Sequence, residues 1–555
     1  MHWFIPSRYH RAAGITGRIA ALFVLAAPGA GAQRPAPNPT VVYAVGKEPT
    51  MPIPLFTHSE QANDDVSDQL FLHLAAYGPT GGVSGDHALI PALARSWRRV
   101  DPLTLIFELD PRARWQDGAP VTAHDVVYTW QLANNPVVGN DQSRLESIAS
   151  VEAIGDRTVR VQFKRPSAEQ VYTFAFLMQP LPSHLLERLA PEAITTSDYA
   201  RHPIGDGPFR MARRVPGQLL ELDADSTFFL GRPTISRVLF RYVEDPNARI
   251  TLFLTGETDI LDVIPEPAMA QVRGRADARL IAVPSNDLVS FVFNTRSSTD
   301  TTRPSPLFTD PRVRQALTLA LDRTTIARSI FDTGATAPDA AQSAIWNWIT
   351  PDVTPHPAAD LTRARMLLAE AGWRDTRGDG VLVKDGVPLH FSLLYPSSSA
   401  MRHTAALQAQ QMWRAAGAAV DLDRVEGPVF GARLPTGRWD VMINRVGEDP
   451  TPSSLVQSWS CGAARRPGST NYARWCDSTF DRLVTTATTA KDQPAAWRAA
   501  LARMAAQRPA IFFAASTTPI AVHRRFDNVI VWPSRTWLSL WQWRVRPADA
   551  LPRDR

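Results

Sequence analysis

The sequence predicts an α/β protein that is large enough for about three domains. Between residues 311 and 425, helical and strand patterns alternate, which is typical of an α/β lobe with a mostly parallel sheet. Residues 80–202 are richer in strand patterns and are predicted to form a smaller α+β domain. If a signal peptide at 1–32 is removed, 523 of the 555 residues remain, which is ample for a large buried core.

The first 32 residues have the pattern of an export signal. Three arginines form a basic start, residues 19–27 form an apolar core, and Ala-Gly-Ala at 30–32 suits cleavage after Ala32. The apolar core is too short for a membrane span, which needs about 20 residues. Because the residue directly after Ala32 is glutamine and not cysteine, the pattern predicts a freely soluble periplasmic protein without a lipid anchor.

The charge pattern argues against a nucleic-acid partner. The formal net charge is +5, and the signal holds three arginines and no acid, so the mature chain carries +2. Its basic residues are scattered, whereas proteins that bind nucleic acid concentrate them in patches.

In the first half of the chain, residues 41–45 are predicted as the first strand, followed by a polar loop at 47–63. A helix is predicted from about Asp64, with apolar residues at Val66 and Leu70 and onward to Leu72 and Leu74. Further strands are predicted at 103–109, 158–163, 219–222 and 237–242, and further helices at 168–178 and 247–255.

In the second half, patterns of both kinds continue to alternate. Helices are predicted at 311–331, 361–371 and 400–416, and strands at 389–395, 419–425 and 511–521. The tryptophan-rich tail at 529–543 is predicted to pack on the first part of the fold as core or edge structure.

The segment 114–130 predicts a tight turn followed by a helix. Asp117-Gly118 suits the turn, because glycine tolerates positive φ. Thr122 is a candidate N-cap, and Asp125 three residues later completes a pattern much like a capping box. A structural role is favoured for these residues over contact with a ligand.

The two cysteines, Cys461 and Cys476, are predicted to form a disulfide, since an exported chain enters an oxidising compartment. Closing a loop of this length is worth about 3 kcal/mol on the chain-entropy model. A metal site is the competing interpretation, but two thiolates without a flanking histidine make a poor ligand set.

Familiar catalytic motifs are missing from the chain. HExxH, GxSxG and GxxxxGK[ST] do not occur, so the common metalloprotease, serine hydrolase and phosphate-loop classes lack their core residues. The sequence predicts no catalysis, no metal and no cofactor. A periplasmic hydrolase stays open as an alternative, and it would require a serine and a histidine to converge in a cleft.

Eight segments carry a resemblance to a known family. They include Gly-Asp-Gly-Pro-Phe-Arg at 205–210, Phe-Leu-Gly-Arg-Pro at 229–233 and Asn-Tyr-Ala-Arg-Trp-Cys at 471–476. The others lie at 91–97, 114–130, 291–295, 310–317 and 364–373. In this order they resemble the extracytoplasmic solute-binding proteins of family 5, the peptide, dipeptide and nickel receptors of ABC importers.

The resemblance implies a two-lobed periplasmic-binding-protein fold of class II, cluster C, with an extra accessory domain. Lobe I is expected at 39–79, 203–288 and 519–547, the accessory domain at 80–202, and lobe II at 289–518, with the hinge at 290–295. The implied function is that of a periplasmic ABC importer subunit, monomeric and free of cofactors, which captures a peptide-like or other small polar solute and delivers it to membrane permease subunits.

The residues expected to bind the solute lie in three loops. They are Ser59, Asn63, Trp346, Trp348, Asn444, Arg445, Val446, Glu448 and Asp449. For the two tryptophans core packing is the competing interpretation, and for Arg445 a surface ion pair is.

Val446 is a departure from the family pattern. In the peptide-binding members, the aspartate four residues before the proline of this loop receives the ammonium group of the peptide, and here that position holds valine. An ammonium buried without an opposite charge is costly, so Glu448 or Asp449 would have to substitute. Arg445 instead suggests an anionic organic solute or a metal chelate, because arginine binds carboxylates through two hydrogen bonds.

Overall fold

The computed structural model describes residues 38–57, 60–78, 89–138, 145–331, 335–346, 348–349, 357–466, 469–533 and 536–554. The predicted signal peptide lies outside these residues. None of the described helices combines the length and the apolar character that a membrane span requires.

The strands among the described residues form one large mixed sheet and several small ones. Their bounds are β1 Thr40–Val45, β2 Ala75–Tyr77, β3 Leu89–Pro91, β4 Ala94–Asp101, β5 Thr104–Leu109, β6 Ile148–Ala153, β7 Thr158–Phe163, β8 Phe209–Val215, β9 Leu219–Ala224, β10 Arg237–Tyr242, β11 Ile260–Leu261, β12 Ala278–Phe293, β13 Val383–Lys384, β14 Val387–Pro388, β15 His390–Pro396, β16 Ala419–Val425, β17 Val441–Gly447, β18 Ala510–His523, β19 Phe526–Asp527 and β20 Arg544–Val545.

Helices occupy many of the connections between the strands. Their bounds are α1 Gln61–Leu70, α2 Ala123–Ala133, α3 Ser183–Leu186, α4 Asp198–Arg201, α5 Pro246–Leu254, α6 Glu266–Arg273, α7 Pro311–Leu319, α8 Arg323–Ile330, α9 Leu361–Glu370, α10 Ala400–Ala415, α11 Gly427–Arg433, α12 Ser454–Trp459, α13 Cys461–Arg465, α14 Ser478–Ala487 and α15 Gln493–Gln507.

The ten-stranded sheet runs through both halves of the molecule, in the order β16-β15-β17-β12-β18-β11-β1-β10-β9-β8. Long antiparallel strands β12 and β18 form its middle and pair with each other over most of their length. The strands β15, β16 and β17 pair in parallel, but β12 is antiparallel to both neighbours. The predicted mostly parallel sheet of the second lobe is therefore wrong, because the two crossing strands belong to it as well.

Hydrophobic packing divides the molecule into two lobes at one point of β12 and β18. Val283 and Ile520 belong to the core of the first lobe, whereas Leu288 and Ala515 belong to a core of the second. The pairing register shifts between Pro284 and Leu288, at the same place. The crossing thus lies several residues before the hinge predicted at 290–295, which is already paired and buried inside the second lobe.

A separate antiparallel sheet, β4-β5-β7-β6, lies in the stretch predicted to form the accessory domain. Its buried residues, such as Phe107 and Val161, share one continuous core with the first lobe. The helix predicted at 168–178 is present as a π-helix at Tyr172–Phe176. We propose that residues 80–202 form the accessory domain, although residues 79–88 lie outside the described residues.

The strand–turn–helix predicted at 114–130 is confirmed. Gly118 has φ +93°, and α2 begins at Ala123 as the sequence predicts. The Asp125 carboxylate accepts hydrogen bonds from the backbone N–H of Thr122 at 2.7 Å and from Ser183 Oγ at 2.6 Å. Asp125 therefore caps the helix and also attaches it to the chain at α3.

Two predicted helices differ from the structure at their ends. α1 begins three residues before Asp64 and ends at Leu70, so Leu72 and Leu74 lie beyond it. The helix predicted at 311–331 is two helices, because Asp322 N-caps a new one by accepting from Thr325 N–H at 3.0 Å. Local capping outweighed continuous helical periodicity in this segment.

The predicted disulfide between Cys461 and Cys476 is present. It joins the start of α13 to the residue before Asp477, the N-cap of α14. The tail is also placed as predicted, because Trp537 and Trp543 pack into the core of the first lobe.

Candidate functional site at the lobe junction

A cavity of about 160 Å³ lies where the first lobe meets the crossing strands. The first lobe lines it with Tyr43 from β1, Asp65 from α1 and Asp262, the residue after β11. β12 contributes residues 283–286, at the register shift, and the tail contributes the aromatic ring of Trp537. We call this space the hinge cavity.

Close backbone contacts hold α1, and with it Asp65, in place. A Cβ atom at Gly205 would lie 1.8 Å from the carbonyl oxygen of Leu70, the last residue of α1, so only glycine fits there. Gly207 N–H donates to the same oxygen at 2.8 Å, and the carboxylate of Asp206 accepts from Leu72 N–H at 2.9 Å. The Gly-Asp-Gly segment is thus a clamp on the C-terminal end of α1.

Strand pairing brings Tyr43 beside Asp262. The parallel pairing of β1 and β11 sets Tyr43 opposite Ile260. The tyrosine hydroxyl donates to Asp262 Oδ2 at 2.7 Å. Burial, and then the negative charges of Asp262 and Asp65, raise the pKa of Tyr43 well above its ordinary value, so the hydroxyl keeps its proton.

The hinge cavity is acidic. Asp65 is only 3% exposed and accepts one hydrogen bond, from Gln61 Nε2 to Oδ1 at 2.7 Å. Burial raises the pKa of Asp65 well above its ordinary value, and the charges of Asp262, Asp68 and Asp64 add to this effect. Within the described residues, no lysine, arginine or histidine forms an ion pair with Asp65 or Asp262.

A second cavity, also of about 160 Å³, separates the accessory region from the second lobe. Tyr172 and Thr173 of the π-helix line one side of it. Asp449, Thr451 and Ser454, which follow β17, line the other side. Hydroxyl and carboxylate groups from two lobes therefore face one another across this space.

The loop after β17 connects the second cavity to the strand that lines the hinge cavity. Glu448 N–H donates to the carbonyl oxygen of Asn286 at 2.9 Å. The Glu448 side chain is buried and accepts from Ser454 Oγ at 3.0 Å. Burial raises the pKa of Glu448 to about 7, so this carboxyl is partly protonated at neutral pH.

The structure places Trp346 and Trp348 in the second lobe. Trp346 is fully buried, and its indole Nε1 donates to the carbonyl oxygen of Asp449 at 2.8 Å. Trp346 therefore holds the main chain of Asp449, which lines the second cavity. Trp348 is partly buried against the same core, and its indole nitrogen has no hydrogen-bond partner among the described residues.

Asn444, Arg445 and Val446 are residues of β17 rather than of a loop. The guanidinium of Arg445 forms an ion pair with Asp287 on the adjacent strand β12. Val446 packs against the core of the second lobe, and Asn444 is paired with Ser290. The positive charge of Arg445 is thus neutralised beside the crossing.

Asn63 is buried and braces the polar loop before α1. Its Oδ1 accepts from Met51 N–H at 2.9 Å, and its Nδ2 donates to the Thr57 carbonyl oxygen at 3.3 Å. Ser59 lies outside the described residues. Of the predicted binding residues that the structure describes, only Asp449 lines one of the two cavities.

Sequence reasoning missed the residues of the hinge cavity. Tyr43, Asp65, Asp262 and Trp537 lie far apart in the chain and are gathered by the sheet order β18-β11-β1. One signal was available: Asp65 lies in α1 beside Val66, on the side of the helix that must be buried.

Metal binding and hydrolysis by a serine each require a particular group of side chains. The described residues contain no group of three or more histidine, cysteine, aspartate or glutamate side chains that could hold a metal ion. Nor is any serine hydroxyl hydrogen-bonded to a histidine in the part of the chain that the structure describes.

Comparison with known proteins agrees with this architecture. The oligopeptide-binding protein AppA of Bacillus subtilis is 26% identical over 424 residues, which cover 76% of this chain and 73% of that protein. The structure of AppA from Bacillus subtilis in complex with a nonapeptide matches with a TM-score of 0.69 and 23% identity, over 92% of this chain and all of that one. NikZ from Campylobacter jejuni in complex with Ni(L-His) matches with a TM-score of 0.68 and 20% identity, over 91% and 99% of the two chains. At these identities the structural matches establish the fold alone.

The family model described as bacterial extracellular solute-binding proteins, family 5 Middle, matches residues 88–466. This match covers well over half of the chain and includes the accessory region, the crossing strand β12 and most of the second lobe. The chain belongs to the family 5 bacterial extracellular solute-binding proteins.

Proposed function

We propose that the protein captures a small polar organic solute, peptide-like in size, between its lobes and delivers it to the membrane subunits of an ABC importer. The observation that carries the proposal is the location of the two cavities: the second cavity separates the accessory region from the second lobe, and the hinge cavity lies at the crossing strands that join the lobes. A solute that contacts both lobes at once favours the closed state, because only closure makes both sets of contacts. The solute is released unchanged, and the protein acts outside the cytoplasm as a monomer.

The family relationship supports a peptide-like solute. The relative AppA is named an oligopeptide-binding protein and was solved with a nonapeptide. In this chain Val446 packs in the core, so an ammonium group gains no charge partner at that position. Of the acids predicted to replace that charge, Asp449 lines a cavity. Its main-chain carbonyl oxygen accepts a hydrogen bond from Trp346.

An anionic organic solute or a metal chelate is the second candidate, and NikZ, solved with Ni(L-His), shares the fold. Its main support in the sequence was Arg445. Because Arg445 pairs with Asp287 and the hinge cavity is lined by two aspartates, the described charges favour a neutral or cationic solute.

Native mass spectrometry of protein purified without refolding tests the proposal. We expect a bound organic solute of peptide-like mass that is recovered chemically unaltered after incubation. A product of cleavage would instead support the hydrolase alternative, and a preparation that binds nothing from a broad peptide and amino-acid panel would overturn the proposed function.

A matched pair of variants tests whether the second cavity takes part. Thr173 lines this cavity and Thr485 is exposed on α14, and both hydroxyls donate to the carbonyl oxygen four residues earlier. Thr173→Trp should weaken solute binding at least tenfold by filling the cavity, whereas Thr485→Trp should leave the affinity unchanged. Equal affinities in titration calorimetry would remove the second cavity from the binding site.

A further inference from the structure

The hinge cavity holds a buried carboxylate with only one hydrogen bond from the described residues. Asp65 is 97% buried, Oδ1 accepts from Gln61, and Oδ2 accepts no hydrogen bond within the described residues. The second carboxylate of the cavity, Asp262, accepts from the Tyr43 hydroxyl. The buried Asp65 and the partly exposed Asp262 thus line one cavity without a positive partner among the described residues.

Such an arrangement is costly in a protein that gains nothing from it. Burying a carboxylate without an opposite charge is strongly unfavourable, and native buried charges are normally paired. Gln61 and Tyr43 are neutral donors, so they relieve only part of this cost. Burial instead favours the protonated form of Asp65, whose pKa is raised. A positive group that enters the cavity would stabilise the carboxylate and lower that pKa.

We propose that the hinge cavity binds a cationic group of the solute, an ammonium or a guanidinium, with Asp65 and Asp262 as its counter-charges. This inference rests on the proposed function and narrows the solute class to cationic, peptide-like compounds. It also supplies the charge partner that Val446 cannot provide.

The dimensions and walls of the cavity suit such a group. A volume of about 160 Å³ is well above the roughly 10–15 Å³ that a single water needs on the same measure, and it accommodates a cationic head with its first carbons. The rings of Tyr43 and Trp537 form part of the wall, and aromatic faces attract cations. The cavity also touches residues 283–286 of β12 at the register shift, so a bound cation would contact the crossing itself.

Competitive capture of matched peptide pairs tests the inference. The members of each tripeptide pair differ in one group: lysine against norleucine, arginine against citrulline, or a free against an acetylated amino terminus. Mass spectrometry of the captured peptides gives a preference ratio for each pair. We expect the wild-type protein to prefer the cationic member of at least one pair by tenfold or more.

The variant Asp65→Asn should bring this ratio close to one. Asp64→Asn is the matched control, because it removes the same charge one residue earlier on α1, at a position that does not line the hinge cavity. Asp65→Asn removes a buried charge, so its melting temperature should not fall. Should it fold poorly, Asp262→Asn provides a second test with the same expected loss of preference.

The outcomes separate the inference from the proposed function. Capture without any preference for cations, or a preference that survives both substitutions, would overturn the inference and leave the function standing. Absence of capture by every form would overturn both.

Arg535 is the remaining arginine to test, because it lies close in sequence to residues of the hinge cavity. It lies outside the described residues, and its sequence neighbours Pro533 and Thr536 line the hinge cavity. A cation preference that is absent in the wild type and emerges only in Arg535→Ala would assign the counter-charge to the chain itself and overturn the inference. An equal preference in the wild type and in Arg535→Ala supports the solute as the source.

Discussion

Two aspartates on either side of the short strand β11 have opposite surroundings. Asp259, which precedes the strand, is fully buried and pairs with Arg525 at 2.8 Å and with Arg553 at 2.7 Å. Asp262, which follows the strand, faces the hinge cavity with Tyr43 as its only described hydrogen-bond donor. About 10 Å of extended chain therefore separates an acid that the chain neutralises from one that forms no ion pair with a described residue.

The neutralised side is a closed network. Arg525 donates to Asp259, to Asp554 at 2.6 Å and to the carbonyl oxygen of Thr40. The Asp554 carboxylate also accepts from the backbone N–H of Thr40 at 2.9 Å. This network ties the C-terminal segment to β1, and each of its two buried acids has a cationic partner within the protein.

The comparison suggests a general criterion for this fold. A buried acid that the chain itself neutralises contributes to the structure, as Asp259 does. A buried acid that lines a cavity and has no cation among the described residues, as with Asp65, is a candidate place for a ligand. The predictions below test each side of this distinction.

The largest expected effect follows from opening the closed network. Arg525→Leu leaves the buried Asp554 without its cation and Asp259 with Arg553 alone, and breaking a buried pair on one side typically costs about 3–5 kcal/mol. Urea unfolding should show a loss of this size. Arg546→Ala is the control, because its ion pair with Asp549 is about half exposed and should change stability by less than about 1 kcal/mol. Equal losses in the two variants would refute the special role of the network.

The disulfide in the second lobe is expected to contribute to the free energy of unfolding by an amount similar to that of the Arg525 network. Reducing the link between Cys461 and Cys476 should lower the free energy of unfolding by about 3 kcal/mol, because the unfolded chain regains the entropy of the closed loop. The melting temperature with and without a reductant measures this effect. An unchanged value would mean that the α13–α14 connection is rigid without it.

A smaller, pH-dependent effect is expected at Asp206, which, like Asp65, forms no ion pair with a described residue. Burial raises the pKa of Asp206 to about 8, so the folded protein keeps a proton that the unfolded chain has released. Its contribution to stability is complete below the ordinary pKa and is lost as pH rises through about 8. Between pH 6 and 7.5 this amounts to roughly 2 kcal/mol. Asp206→Asn should flatten the fall of the free energy of unfolding over this range, and an identical slope in the wild type would contradict it.

Much of the fold follows from local sequence patterns. The bounds of β7, β10 and β16 agree with the predictions, because alternation of apolar residues is a local property. The capping pair Thr122 and Asp125 is likewise readable in four residues. Where prediction failed, as at the break between α7 and α8, a second capping aspartate was present within an apparently continuous helix.

The site could not be predicted in the same way. The hinge cavity requires the register of β1 against β11 and the return of the tail to the first lobe, and neither is encoded in a short segment. The family resemblance predicts that residues 444–450 form a solute-binding loop, yet residues 444–447 belong to strand β17. An acid in a helix is usually solvated, so the helical pattern alone does not predict that Asp65 is buried. Its burial becomes visible only once α1 is packed.

The smallest expected effect concerns Arg445, whose partner Asp287 lies on the crossing strand β12. Its side chain is 48% exposed and that of Asp287 is 26% exposed, so solvent screens the pair and removing it should cost less than about 1 kcal/mol. Because the guanidinium is occupied by Asp287, Arg445→Ala should also leave the affinity for the captured solute within twofold in titration calorimetry. A tenfold loss would instead favour an anionic solute, and it would show that a charge paired inside the chain can still be recruited when the lobes close.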